Sequence, residues 1–127
     1  MARDRQTPHE AYEAVQRSAQ PKRQAEAMAF ARAATMLEIA CREPVDRRRL
    51  DAALRRNQVL WTMVQDEVAS PGNRLPPELK DNLLKLSAHV DRQTLVALAS
   101  GDPRDVAGLI AIDRDMAEGL FDRPTTY

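Results

Sequence analysis

Between Leu75 and Ala99 the apolar side chains recur in two series. Leu79, Leu83, Leu86 and Val90 follow steps of three and four, the period of one helix face. Leu84, Ala88, Leu95 and Leu98 form a second line, rotated away from the first. Pro76 and Pro77 suit the first turn of a helix, where a missing N–H does no harm, and no proline or glycine follows until Gly101. A surface helix in a small domain needs a single buried stripe. Two stripes predict a central helix over about 77–99, with neighbours on both sides or with one side left open for a partner.

The remaining pattern predicts four more helices around it. Thr7, Pro8 and Glu10 have the form of a capping box that opens a helix over about 8–19, with Ala11, Tyr12, Val15 and Ala19 on one face. Pro21 is expected to break that helix and to start a second, alanine-rich one over about 22–42. Its main stripe is Phe30, Ala33, Ala34, Leu37 and Cys41, widened by Met28, Thr35, Met36 and Ile39. Lys22 and Arg23 at its start have the wrong sign for the helix dipole, so they are either simply solvated or answer an acidic group elsewhere. Pro44 ends it and Asp46 caps a third, over about 46–69, whose inward line is Leu50, Leu54, Trp61, Val64 and Val68, with Leu60 and Met63 beside it. Trp61, the only tryptophan, is expected to be buried and to anchor this helix to the central one. Ser70-Pro71-Gly72-Asn73 marks a turn, and Gly101 a left-handed close to the central helix. Asp102 then caps a last helix over about 103–121, with Val106, Leu109, Ile110, Met116, Ala117 and Leu120 facing inward.

Composition narrows the class. A chain of 127 residues is most simply one domain, with short flexible ends expected at about 1–6 and 122–127. Aromatic residues are only 4%, so the core must be built from Ala, Leu, Val, Ile and Met in an all-α, compact bundle of about five helices. The lone Cys41 has no disulfide or metal-ligand partner and reads as a small apolar residue. His9 and His89 belong to no Cys–His or Ser–His–Asp arrangement, and no glycine-rich phosphate loop is present. The inventory therefore predicts no enzyme, no cofactor and no metal. No apolar run approaches the roughly 20 residues of a membrane span, and the start MARDRQTPHE lacks the apolar centre of a signal peptide, so a cytoplasmic protein is expected.

The charges balance overall but not along the chain. Residues 1–56 hold 12 Lys+Arg against 8 Asp+Glu, and residues 57–127 hold 7 against 11. That asymmetry is too mild for a dedicated nucleic-acid binder. Arg47, Arg48, Arg49, Arg55 and Arg56 nevertheless cluster in the first half of the third helix. They form either an ordinary solvated face or a grip on RNA phosphates, without the interleaved aromatics that would stack bases.

Leu60-Trp61, Pro71 and Asn73-Arg74-Leu75-Pro76, followed by a helix beginning near Leu79, carry a family likeness. So do Leu84-Lys85-Leu86-Ser87, Val90, Ile110-Ala111-Ile112-Asp113-Arg114, Met116 and Glu118-Gly119-Leu120. In order and spacing these elements resemble the flagellar biosynthesis regulator FlaF family of alphaproteobacteria, over about residues 11–121. Ala11-Tyr12 and Pro21-Lys22-Arg23 fit less tightly, because family members often have Pro-Arg-Glu at the latter place.

The resemblance implies a cytoplasmic factor of flagellum biogenesis that regulates flagellin synthesis. It further implies a protein that binds flagellin as a secretion chaperone and acts with the translational regulator FlbT. Flagellin's terminal segments are amphipathic helices, and such helices are bound in apolar grooves. The second stripe of the central helix (Leu84, Ala88, Leu95 and Leu98) is the expected partner surface. The alternative is an RNA-associated or FlbT-coupled post-transcriptional regulator with Arg47, Arg48, Arg55 and Arg56 as phosphate contacts.

Overall fold

A computed structural model of the chain describes the backbone of residues 7–122 and the side chains of residues 7–8 and 22–119. It contains four α-helices: α1 (Pro8–Ala40), α2 (Arg47–Ala69), α3 (Pro77–Ser100) and α4 (Ala107–Asp122), with one 3-10 turn, Pro103–Asp105, before α4. The described residues contain no strand, as the helical periodicity requires. The expected flexible ends lie outside the described residues, apart from Asp122, which closes α4, and the side chains of Glu10, Ala11, Tyr12, Val15, Ala19 and Leu120 lie outside them too.

The helix count is four rather than five because α1 runs through Pro21 without a break. An internal proline removes one N–H donor and crowds the preceding turn. Here the flanking residues are dominated by Ala, Gln, Lys, Arg and Glu, among the strongest helix formers, and they carry the helix across. At the other end, the last helix starts later than predicted. Asp102 caps a single 3-10 turn by accepting the Arg104 N–H at 2.9 Å. The Gln93 amide donates to the Asp105 carbonyl at 2.9 Å, and the Ser100 hydroxyl donates to the Asp105 carboxylate at 2.6 Å. Those bonds hold the turn against the end of α3, and α4 begins only at Ala107.

The other helix ends follow from local chemistry. The Asp46 carboxylate accepts from the Arg48 and Arg49 N–H groups at 3.0 and 3.5 Å, capping α2. Pro77 opens α3 at its first position. Gly101 closes α3 with φ 62°, and its N–H donates to the Ala97 carbonyl at 2.8 Å.

The most extensively packed helix is α1, not the predicted central helix. It lies against both α4 and α2, while α3 packs on α2 and is joined to α4 mainly through the 3-10 turn. Phe30 and Leu37 of α1 share one buried cluster with Leu50, Leu54 and Trp61 of α2, with Val106 just ahead of α4, and with Leu109 and Ala117 of α4; Ala27 and Ala34 of α1 are buried as well. Trp61 is fully buried, as predicted, but its anchor points are elsewhere. Its ring meets Phe30 of α1 edge-on, with centroids 5.4 Å apart, and its indole N–H donates to Asp113 Oδ1 of α4 at 2.9 Å. Helix α3 buries Ser87, Val90, Thr94 and Ala97 rather than its leucines. Met28, Ile39 and Met63, expected to widen buried stripes, stand in solvent.

Candidate functional site

Because α3 and α4 flank the α1–α2 pair and share little contact with each other, one seam of the bundle stays open. A groove of about 1070 Å³ occupies it. Its floor and walls come from every helix: Ala25, Ala29 and Phe30 of α1, Leu60, Met63, Val64 and Val68 of α2, Leu79, Leu83 and Leu86 of α3, and Met116 and Gly119 of α4. The short α2–α3 loop contributes Gly72 to Leu75. The small residues at 25, 29, 72 and 119 leave room that longer side chains would fill. The lining stretch of α1 from Lys22 to Phe30 rises about 12 Å, the length of two to three helical turns.

Charged groups stand along this apolar surface. Lys22 of α1 donates to Glu67 Oε1 of α2 at 2.9 Å, so of its two expected roles it answers a distant acid. That bond and the Glu67 charge raise the Lys22 pKa. Glu26, one turn further on α1, is half-buried and lies 4.0 Å from Lys22. Burial, and then the neighbouring Glu67 charge, push its carboxyl above the usual range. Arg23, Arg74 and Asp115 complete the charged lining.

The residues expected to bind a partner are placed differently. Leu84 and Leu95 are exposed, 41% and 61%, and Ala88 is exposed with them on the outer side of α3. Leu98 is half-buried against the core. None of these four lines the groove. The groove instead uses Leu79, Leu83 and Leu86 of the first stripe, whose fourth member, Val90, is buried. The two-sided apolar character of α3 is thus real, and its buried face joins Val90 of the first stripe with Ser87, Thr94 and Ala97.

The arginines do not act as one group. Arg47 donates to Asp51 at 3.1 Å and to the carbonyls of Leu98 and Ala99, which fastens α2 to the C-terminus of α3. Arg49 lies 3.9 Å from Asp46. Arg48, Arg55 and Arg56 are exposed. Cys41 is half-buried against the core, with its thiol pKa raised by burial, and His89 is exposed.

Three buried side chains carry unpartnered polar atoms and had no place in the expected core. Asp113 is fully buried; Oδ1 accepts from Trp61 while Oδ2 has no hydrogen-bond partner among the described residues. Burial pushes its pKa up to about 6, against the opposing effect of the Trp61 bond. Asn57 of α2 and Ser87 of α3 are buried with no side-chain partner among the described residues. The signal was present for all three. Asp113 falls at steps of four from Leu109 and Ala117, Asn57 lies between Leu54 and Trp61, and Ser87 precedes Val90 by three.

The architecture defines a class: a small all-helical protein with an open apolar seam. No helix among the described residues is long and apolar enough to cross a membrane, and no group of acidic, His or Cys side chains among them is arranged to hold a metal. The sequence matches the flagellar protein FlaF family over residues 8–120, and the chain belongs to that family. Comparison with curated proteins and with solved structures finds no match.

Proposed function

We propose that this flagellar protein binds flagellin in the seam between α3 and α4, and that it acts in flagellin production as a cytoplasmic secretion chaperone. The observation that carries this is the groove, open to solvent and lined by Phe30, Leu60, Val64, Leu79, Leu83, Leu86 and Met116. An apolar concavity two to three turns long, bounded by four helices, suits the apolar face of one more helix. Filling it would remove those side chains from water, at roughly 25 cal/mol per Å² of apolar surface covered. A terminal segment of flagellin is an amphipathic helix in need of such cover before assembly.

Leu83→Glu tests this directly. It places a charge on the α3 wall at a half-exposed position, so the fold is expected to persist while binding of purified flagellin is lost. Circular dichroism alongside a calorimetric titration measures both. A well-folded wild-type protein that fails to bind flagellin at micromolar concentration would overturn the chaperone function. The exposed Arg48, Arg55 and Arg56 would then be tested for RNA binding through its salt dependence.

A further inference from the structure

We propose that Glu26 selects the bound helix by accepting a basic side chain from it, an arginine or lysine set beside the partner's apolar face. This rests on the groove being the flagellin site and names the polar contact made there. Glu26 lines the groove one turn from Phe30, so any helix seated against Phe30 and Val64 passes over its carboxylate. That carboxylate is half-buried, yet it accepts no hydrogen bond from the described residues. The nearest cation is Lys22 at 4.0 Å, and Lys22 makes its hydrogen bond to Glu67 at 2.9 Å.

Glu67 itself lines the groove and places a second negative charge close to Glu26. Arg23 also acts on Glu26 through space, but burial and the Glu67 charge outweigh both cations in their effect on its proton. A carboxylate so placed is poorly solvated, lies beside a like charge and lacks a donor. An incoming ammonium or guanidinium supplies what is missing, and a guanidinium fork has the reach to bridge two carboxylates. A seated helix also excludes water from the wall, which strengthens the charge-assisted bond. An acidic side chain at the same place would meet two carboxylates and be rejected.

The free protein gains little from this arrangement. Glu26→Gln removes a half-buried charge beside a like charge while keeping the shape, so the variant is expected to melt at or above the wild-type temperature. Its affinity for purified flagellin is nevertheless expected to fall about tenfold at low salt, with a shallower salt dependence. As pH is lowered through the raised titration range of Glu26, wild-type affinity falls more than that of Glu26→Gln, because protonation removes this negative charge in the wild type alone.

The partner residue is located with flagellin variants in which single basic residues of the terminal helices are replaced by Gln. One of them is expected to weaken binding to the wild type and to cause no further loss with Glu26→Gln. Equal affinity of Glu26→Gln and wild type at all salt concentrations, or loss by every basic replacement in both backgrounds alike, overturns the proposal. If Leu83→Glu abolishes binding while Glu26→Gln is silent, the groove stands and this role of Glu26 falls. If wild-type protein binds no flagellin, both fall together.

Discussion

Asp113 stands where an apolar side chain would serve stability better. It occupies the inward line of α4 with Leu109 and Ala117, and one of its oxygens has no partner among the described residues. What it gains is the bond from Trp61, which joins α2 to α4 across the core. The folded-state pKa of about 6 lies above the ordinary 3.8, so the folded protein favours the protonated form. Its contribution to stability is therefore fully present below about pH 4 and is lost as pH rises through about 6. A shift of that size corresponds to about 3 kcal/mol across the window. Asp113→Asn keeps an oxygen for the Trp61 N–H and removes the buried charge. It is expected to raise stability at pH 7.5 by about 1–3 kcal/mol and to flatten the gain seen on acidification from pH 7 to 5. Urea unfolding of both proteins at pH 5 and 7.5 measures this, and equal pH dependence in the two would refute it.

At the scale of the element, the close of α3 depends on one glycine. Gly101 has φ 62°, and a Cβ there would collide with the Arg47 side chain as it reaches the carbonyls of Leu98 and Ala99. Gly101→Ala is expected to cost at least about 1 kcal/mol, from left-handed strain alone. Displacing Arg47 adds to that cost, because it fastens α2 to α3. Gly108 offers the contrast. It lies exposed in the first turn of α4 with open space around it, so Gly108→Ala is expected to add about 0.5–1 kcal/mol. Thermal melts of the two variants should move in opposite directions. The helix boundaries set by caps were legible in advance: Asp46, Pro77 and Gly101 each act within one turn of chain. Pro21 was not, since whether a helix survives an internal proline depends on the balance over its whole length.

On the scale of the molecule, two apolar surfaces of α3 compete for a partner. One is the groove wall of Leu79, Leu83 and Leu86; the other is the outer side, with Leu84, Ala88, Leu95 and Val96 exposed. Only the first faces other helices across a concavity. Leu95, 61% exposed, is expected to tolerate Glu with a stability change within about 0.5 kcal/mol and with flagellin binding intact. Loss of binding by Leu95→Glu with the fold preserved would move the site to the outer side of α3.

The sequence by itself determined the helical class, most helix ends, the burial of Trp61 and the family likeness. These depend on the spacing of apolar residues and on caps, both local along the chain. Tertiary structure decided which face of α3 is buried. Val90 of the first leucine line is buried together with Ser87, Thr94 and Ala97, and this face meets α2. Hydrophobicity ranks the leucines above it, but small side chains let two helices approach closely, and that advantage exists only when a second helix is present. The open seam has the same origin. No local pattern states that α3 and α4 share little contact, and only their separate packing, on α2 and on α1, leaves the groove between them.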